Sequence, residues 1–171
     1  MAGRWAVRAR WALPSTAVLV TAAVLAPLAA PGYVLSYDMV FVPHQPLRAD
    51  LIAPAATLPR AVPQDALVSL ASVVAPGWLV QRVVLVAVLL LAAYGAGRLV
   101  PTERVAPRLI AAVGYAWTPY LAERLLLGQW GLLLAYGALP WIVAAALRVR
   151  RGERHGVPLL LAAAVPAAVT P

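Results

Sequence analysis

The apolar positions of this chain fall into long runs that are separated by short polar segments. Residues 11–37 include no charged side chain, and residues 77–100 form a second apolar run with Arg82 close to one end. A helix needs roughly 20 apolar residues to cross about 30 Å of hydrocarbon. Both runs are therefore predicted to be transmembrane helices, with the Arg82 guanidinium reaching toward the interface.

A third apolar stretch, residues 109–147, is long enough for two helices of about 19 residues each. Arg-rich segments lie on both sides of it, at residues 98–108 and 148–154. Cytoplasmic loops are enriched in Arg, so both segments are assigned to the cytoplasm and an even number of crossings must separate them. The turn between the third and fourth helices is predicted near Gly128 and Gln129.

Residues 38–76 differ from these runs because they are rich in Pro and contain all three Asp residues and His44. Such Pro density excludes one continuous helix and predicts an outward-facing loop. Within it, the segment "PQDALVSLASVV" has Pro63 and Asp65 near its start, followed by regularly spaced apolar residues. This pattern is typical of a short helix lying in the membrane interface.

Together these segments predict an all-α polytopic transmembrane helix bundle with about four complete spans, forming a single transmembrane domain over residues 1–171. We expect a multi-pass protein of the cell membrane with a cytoplasmic N-terminus and an extracytoplasmic loop at residues 38–76. Residues 157–171 begin a truncated fifth span that is too short to cross comfortably. The chain is therefore expected to be an N-terminal fragment.

Composition supports the membrane class, since 63% of the residues are hydrophobic and 12% are charged. The net charge of +8 comes from Arg residues that flank apolar runs, so the lipid bilayer, and not nucleic acid, is the expected partner. The sequence has no Cys and two His, and it shows no zinc-ligand spacing, no Gly-rich phosphate loop and no Ser-His-Asp set. No metal site and no cofactor are predicted.

The predicted topology collects polar side chains on the outer side. Ten Arg face inward, whereas four face outward together with Asp38, Asp50, Asp65 and Glu123. A polar site is therefore predicted at the outer helix ends and in the loop. Its candidate residues are Asp38, Arg48, Arg60, Glu123, Arg124 and Gln129.

Four of the polar residues on the outer side also have a structural interpretation. Asp38 directly follows the first span and would mark the water interface, and His44 would be a solvated loop residue. Glu123 and Arg124 are adjacent and point about 100° apart on a helix, so they are expected to pair with separate partners and not with each other. Either residue would then serve the helix bundle and not a ligand.

The chain resembles the N-terminal part of actinobacterial GT-C-type polytopic membrane glycosyltransferases, in particular the arabinofuranosyltransferase-like proteins. The resemblance lies in the outward loop that opens with "SYDMVF" and in the run "TPYLAERLLLGQWGLLLAYGALPW". It implies a polyprenyl-phosphate-linked sugar as donor, a cell-envelope glycan or lipid as acceptor, and an essential acid in the first outward loop. That acid would be Asp38.

The chemistry implied by the resemblance suits these residue types. Asp38 would accept the proton of an acceptor hydroxyl, and Arg48, Arg60 or Arg124 would hold the lipid phosphate through a guanidinium fork. Two other functions stay open: a transporter or lipid-carrier flippase subunit, and a non-catalytic scaffold for envelope assembly. A transporter is expected to place polar residues on broken helices at mid-membrane, whereas the polar residues here collect at helix ends.

Overall fold

The computed structural model describes residues 2–48 and 63–169, with the helical backbone alone for residues 2–10. This part of the chain folds into α-helices that are joined by turns and by one extended segment. The helices are α1 (Ala2–Leu25), α2 (Gln64–Val74), α3 (Gly77–Leu99), α4 (Val105–Ala116), α5 (Pro119–Leu126), α6 (Trp130–Arg150) and α7 (Gly156–Ala168).

Three of these elements are long and apolar enough to cross a membrane, namely Trp11–Leu28, Gly77–Leu99 and Trp130–Arg150. The all-α class is confirmed, and the three candidate spans indicate a multi-pass membrane protein. The final helix, Gly156–Ala168, is apolar but has only 13 residues.

The first helix is shorter than the apolar run that predicts it. Regular α-helix ends at Leu25, and a single 3₁₀ turn, Ala26–Leu28, follows it. Pro27 and Pro31 lack the N–H that would continue the helical ladder, which explains the end of the helix inside an uncharged sequence. The chain then continues as an extended segment, residues 33–48, with a turn at residues 36–39.

The expected third helix is broken into α4 and α5. Thr118 has φ −114° and ψ 150°, the extended conformation that a residue before Pro favours. The Thr118 hydroxyl accepts a hydrogen bond from the Leu121 N–H at 3.2 Å, so it caps α5, and Pro119 occupies the first helical turn. The break therefore follows from the dipeptide Thr118-Pro119.

Small residues allow the helices to approach closely. One core cluster joins α1, α3 and α4 through fully buried Ala17, Ala93, Ala112 and Ala116. Farther along α3, a Cβ on Gly137 of α6 would lie 2.9 Å from the Val88 carbonyl oxygen. Helices α3 and α6 therefore pack against each other with their backbones in close contact, as helices with small residues at their interface do.

Two tyrosines connect α4 and α6 reciprocally. The Tyr115 hydroxyl donates to the Tyr136 carbonyl at 3.0 Å, the Tyr136 hydroxyl donates to the Tyr115 carbonyl at 2.7 Å, and the rings stack 4.4 Å apart. Pro140 lies inside α6, four residues after Tyr136, and cannot donate to the Tyr136 carbonyl. Tyr115 supplies the missing donor.

The predicted interfacial helix exists as α2, and its polarity is inverted relative to a soluble surface helix. Its buried positions are mostly polar: Ser69, which donates to the Gln45 carbonyl at 2.8 Å, Ser72 and Gln64. Its exposed positions are apolar and comprise Leu67, Leu70, Val73 and Val74. A lipid environment suits this arrangement, and the interfacial location stays a prediction.

Candidate functional site

The extended segment after α1 is held against α3 by polar side chains. Gln81 is 1% exposed and pairs with both backbone groups of Val34: the Val34 N–H donates to Oε1 at 2.9 Å, and Nε2 donates to the Val34 carbonyl at 2.6 Å. Farther along, the Gly77 N–H donates to the Pro43 carbonyl at 3.0 Å. These contacts give the segment a fixed path across the start of α3.

Apolar side chains fix the same segment from the other side. Met39 is 1% exposed, and Phe41 packs against Trp130 of α6 with ring centroids 5.2 Å apart. Val68 of α2 and Leu85 of α3 complete this cluster. Met39 and Phe41 are therefore anchored in the core just after Asp38, while the side chains of Tyr37 and Asp38 stay exposed.

The turn that carries Asp38 rests on the turn between α5 and α6. The Asp38 N–H donates to the Leu127 carbonyl at 3.2 Å, and the Ser36 hydroxyl donates to the Leu126 carbonyl. Gly128 has φ +71°, and a Cβ there would collide with the Ser36 carbonyl oxygen. Only glycine combines this conformation with so close an approach.

On this second turn, Arg124 is the centre of a polar group. Its Nη1 donates to Gln129 Oε1 at 2.6 Å, Nη2 lies 3.8 Å from Glu123 Oε2, and its guanidinium carbon lies 5.3 Å from the centre of the Tyr120 ring. The Nε–H of Arg124 is buried and has no hydrogen-bond partner. The guanidinium thus keeps an unused donor beside an aromatic face.

Arg124 has the separate partner that the sequence predicts, Gln129 Oε1 at 2.6 Å, and it also forms a longer ion pair with Glu123 at 3.8 Å. The Glu123 side chain is 61% exposed, so this ion pair contributes little to stability. The prediction of the turn at Gly128 and Gln129 is confirmed, since α5 ends at Leu126 and α6 begins at Trp130.

The structure brings Asp38, Glu123, Arg124 and Gln129 onto two adjoining turns. It does not add the other predicted residues to them: Arg48 is exposed ten residues beyond Asp38, and Arg60 and Asp50 lie outside the described residues. His44 contacts α2, with Nδ1 3.5 Å from the Ser72 carbonyl oxygen. Within residues 2–48 and 63–169, no group of three His, Asp or Glu side chains is arranged to hold a metal ion.

Two polar residues in α3 have roles that the sequence pattern did not predict. Gln81 orders the segment before Asp38. Arg82 donates to the carbonyls of Leu28 at 2.7 Å, of Gly32 at 3.2 Å, and of Ala30, so it holds the end of the 3₁₀ turn and the residues that follow it. The signal in the sequence is an amide followed by a guanidine inside an apolar run, which is costly in a membrane unless each group has partners.

No protein-family model, no curated protein and no solved structure matches this chain. The resemblance to GT-C glycosyltransferases therefore stays a prediction that rests on the two quoted segments. Any function assigned to the chain has to be supported by the geometry of the two adjoining turns and by the helices that carry them.

Proposed function

We propose that the protein is a membrane glycosyltransferase of the GT-C type, which transfers a sugar from a polyprenyl-phosphate carrier to a cell-envelope glycan or lipid. The observation that carries the proposal is the hydrogen bond from the Asp38 N–H to the Leu127 carbonyl. It joins the backbone of the turn that carries the exposed Asp38 carboxylate to the end of α5, whose last turn carries Arg124, although the two residues are far apart in sequence. A base and a phosphate-binding cation on adjoining turns are what such a transfer requires.

The proposal includes a broken third crossing. Helices α4 and α5 have 12 and 8 residues, which together rise about 30 Å, the thickness of the hydrocarbon. With α1, α3 and α6 this makes four crossings. The Asp38 turn and the α5–α6 turn then lie on the extracytoplasmic side, opposite the Arg-rich segments.

Arg124 is the favoured phosphate ligand among the three predicted arginines. Its side chain is 26% exposed and is already oriented by Gln129 and Tyr120, so little conformational entropy is lost when it binds an anion. Its Nη2 lies 3.8 Å from Glu123 Oε2, which is too far for a hydrogen bond, so this nitrogen can donate to a phosphate oxygen. Glu123 competes only weakly, because the pair is long and solvated.

In the proposed reaction the Asp38 carboxylate accepts the proton of the acceptor hydroxyl while the hydroxyl oxygen forms a bond to the anomeric carbon of the sugar. The bond from that carbon to the phosphate oxygen breaks, and its electron pair leaves with the polyprenyl phosphate. The Arg124 guanidinium stabilises the charge that develops on the leaving phosphate. The reaction needs neither an oxidant nor a reductant.

The test uses membranes that contain the full-length protein. These membranes are incubated with radiolabelled polyprenyl-phosphate-linked arabinofuranose. Asp38→Asn is expected to reduce label transfer by roughly 10²- to 10⁴-fold at unchanged protein abundance, because the amide cannot accept the proton. Glu103→Gln is the control, since Glu103 is an exposed acid in the loop between α3 and α4. Normal transfer by Asp38→Asn refutes the proposed role of the acid.

Arg124 gives a second arm of the same assay. Arg124→Lys keeps the charge but loses the forked geometry, whereas Arg124→Gln loses both. If the guanidinium binds the donor phosphate, the donor concentration at half-maximal rate rises in the order wild type, Lys, Gln. Equal values for all three variants at equal abundance contradict phosphate binding by Arg124.

One observation favours the second candidate, a transporter or lipid-carrier flippase subunit. The break at Thr118-Pro119 interrupts α4 and α5 within the proposed third crossing, and broken helices frame the binding sites of many transporters. A transporter moves the labelled lipid across vesicle membranes with no new glycosidic bond, and Asp38→Asn then leaves the product analysis unchanged. If the label is neither transferred nor moved across the membrane, the result supports the non-catalytic scaffold.

A further inference from the structure

A groove opens between the last turns of α1 and the first half of α3. Its volume is about 410 Å³, which falls within the range of small-molecule pockets. Most of its wall is aliphatic, and a single charged residue, Arg82, stands among the residues that line it. The α1 side is formed by Val18, Thr21, Ala22 and Leu25, and the α3 side by Leu85, Val86 and Leu90.

The groove matches one leaflet of a bilayer in depth. It extends from Val18 to Leu28 on the first helix, which is about 15 Å at helical rise. This is half of the roughly 30 Å hydrocarbon thickness. Because both walls belong to candidate membrane spans, the groove adjoins lipid, and Val18 and Val86 are exposed at 55% and 39% within it.

Two polar groups in this apolar wall lack a complete set of partners. Thr21 is 4% exposed, and its buried Oγ1 has no hydrogen bond, which is costly for a hydroxyl in apolar surroundings. Arg82 is satisfied in part by three neutral carbonyls, and no carboxylate of the described residues pairs with it. The Thr21 hydroxyl is covered and cannot be reached from the groove, whereas Arg82 supplies an unneutralised positive charge at the end where the first helix stops.

We infer that this groove binds one acyl chain of an anionic phospholipid. The acyl chain lies against Val18, Leu85 and Val86, and the phosphate meets the Arg82 guanidinium. A lipid of this kind complements both the aliphatic wall and the positive charge. The inference requires α1 and α3 to span the membrane and does not depend on any transferase activity.

The experiment measures the phospholipid retained by the purified full chain. The protein is reconstituted into vesicles of phosphatidylcholine and phosphatidylglycerol in equal amounts, extracted in mild detergent, and analysed by native mass spectrometry. A charge-assisted hydrogen bond to Arg82 is expected to enrich phosphatidylglycerol roughly tenfold over its share in the vesicle. Retention in the vesicle ratio overturns the inference.

Two matched variants of α1 test the groove itself. Ala22 lines the groove and its neighbour Ala23 does not, and both are exposed, so Ala22→Phe fills the space while Ala23→Phe adds the same area elsewhere. We expect Ala22→Phe to abolish the bound lipid and Ala23→Phe to keep it. Equal retention by the two variants refutes the site.

Arg82→Gln separates the headgroup from the chain. The variant is expected to retain lipid but to lose most of the preference for phosphatidylglycerol over phosphatidylcholine. If Arg82→Gln is too unstable to purify because the carbonyls of Leu28, Ala30 and Gly32 lose their donor, the comparison of Ala22→Phe with Ala23→Phe still decides the question, since neither substitution touches Arg82. An unchanged headgroup preference in folded Arg82→Gln overturns the assignment of the phosphate.

Discussion

Gly128 shows how one residue determines whether the candidate site can form. It combines a left-handed backbone, φ +71°, with a position so close to the Asp38 turn that a Cβ would collide with the backbone of Ser36 and Met39. Any side chain there would have to displace the Ser36 carbonyl or Met39. The position of Asp38 relative to Arg124 therefore depends on the absence of a side chain at residue 128.

Substitution of Gly128 by Ala should destabilise the protein more than the same change at Gly152. Both glycines have φ +71°, but a Cβ on Gly152 meets nothing within 4 Å. The backbone cost of roughly 1 kcal/mol is common to both, and the collision adds about 1–3 kcal/mol at Gly128 alone. Thermal unfolding in detergent, followed by size-exclusion chromatography, measures the difference; equal midpoints contradict the contact between the two turns.

At the scale of elements, prolines break or interrupt two helices. Tyrosine hydroxyls then donate to the backbone carbonyls that have lost their helical hydrogen bond. Pro119 starts α5 after the break, and Pro140 removes a donor inside α6. Tyr115 and Tyr136 each donate to the other's backbone, so neither carbonyl is left without a partner in an apolar environment. The end of α4, just before the break, is thereby held beside Tyr136 in α6.

A double-mutant cycle tests this repair. Tyr115→Phe leaves the Tyr136 carbonyl without a donor and is expected to cost about 1–3 kcal/mol of stability. In a Pro140→Ala background the residue 140 N–H reaches that carbonyl, so Tyr115→Phe should cost clearly less. If Tyr115→Phe costs the same stability in both backgrounds, Tyr115 and Pro140 are not coupled, and the Tyr115 hydroxyl does not replace the donor that Pro140 lacks.

At the scale of the whole molecule, the helices alternate in direction between two ends. The Asp38 turn, the start of α3 and the α5–α6 turn meet at one end, where residues 43 and 77 and residues 38 and 127 are hydrogen-bonded. At the other end Arg108 Nε donates to the Gly97 carbonyl at 3.3 Å, and Glu153 lies within 4 Å of Arg148 and Arg151. This end carries the basic residues that the positive-inside rule assigns to the cytoplasm.

Single cysteines should report the two ends in a chain that has none of its own. Tyr37 and Leu126 are 82% and 72% exposed and lie on the adjoining turns, so Tyr37→Cys and Leu126→Cys are expected to react with an impermeant thiol reagent added outside cells. Glu103→Cys and Arg151→Cys should react only after permeabilisation. Labelling of Tyr37→Cys but not of Leu126→Cys in intact cells contradicts the shared extracytoplasmic side.

The sequence pattern was sufficient for some elements and insufficient for others. Long apolar runs predict α3 and α6 because membrane helices require length and little else. The break at Thr118 was readable in principle, since Thr before Pro is a helix-start signal, but an uncharged run concealed it. The contact between Asp38 and Leu127 was not predictable, because no local periodicity encodes which turn packs on another that is far away in the chain.

The adjoining turns also impose an order in time on the assembly of the protein. Residues 36–39 leave the ribosome about 90 residues before the Leu126 and Gly128 backbone that receives them, which at 5–20 residues per second is a wait of roughly 5 to 20 s. During that interval the segment can already contact α3, through Val34 with Gln81 and Pro43 with Gly77, but the Asp38 turn lacks its partner. The acid acquires Arg124 and Gln129 as neighbours only when the α5–α6 hairpin packs, so synthesis interrupted before Gly128 yields a chain whose Asp38 turn has no surface to rest on.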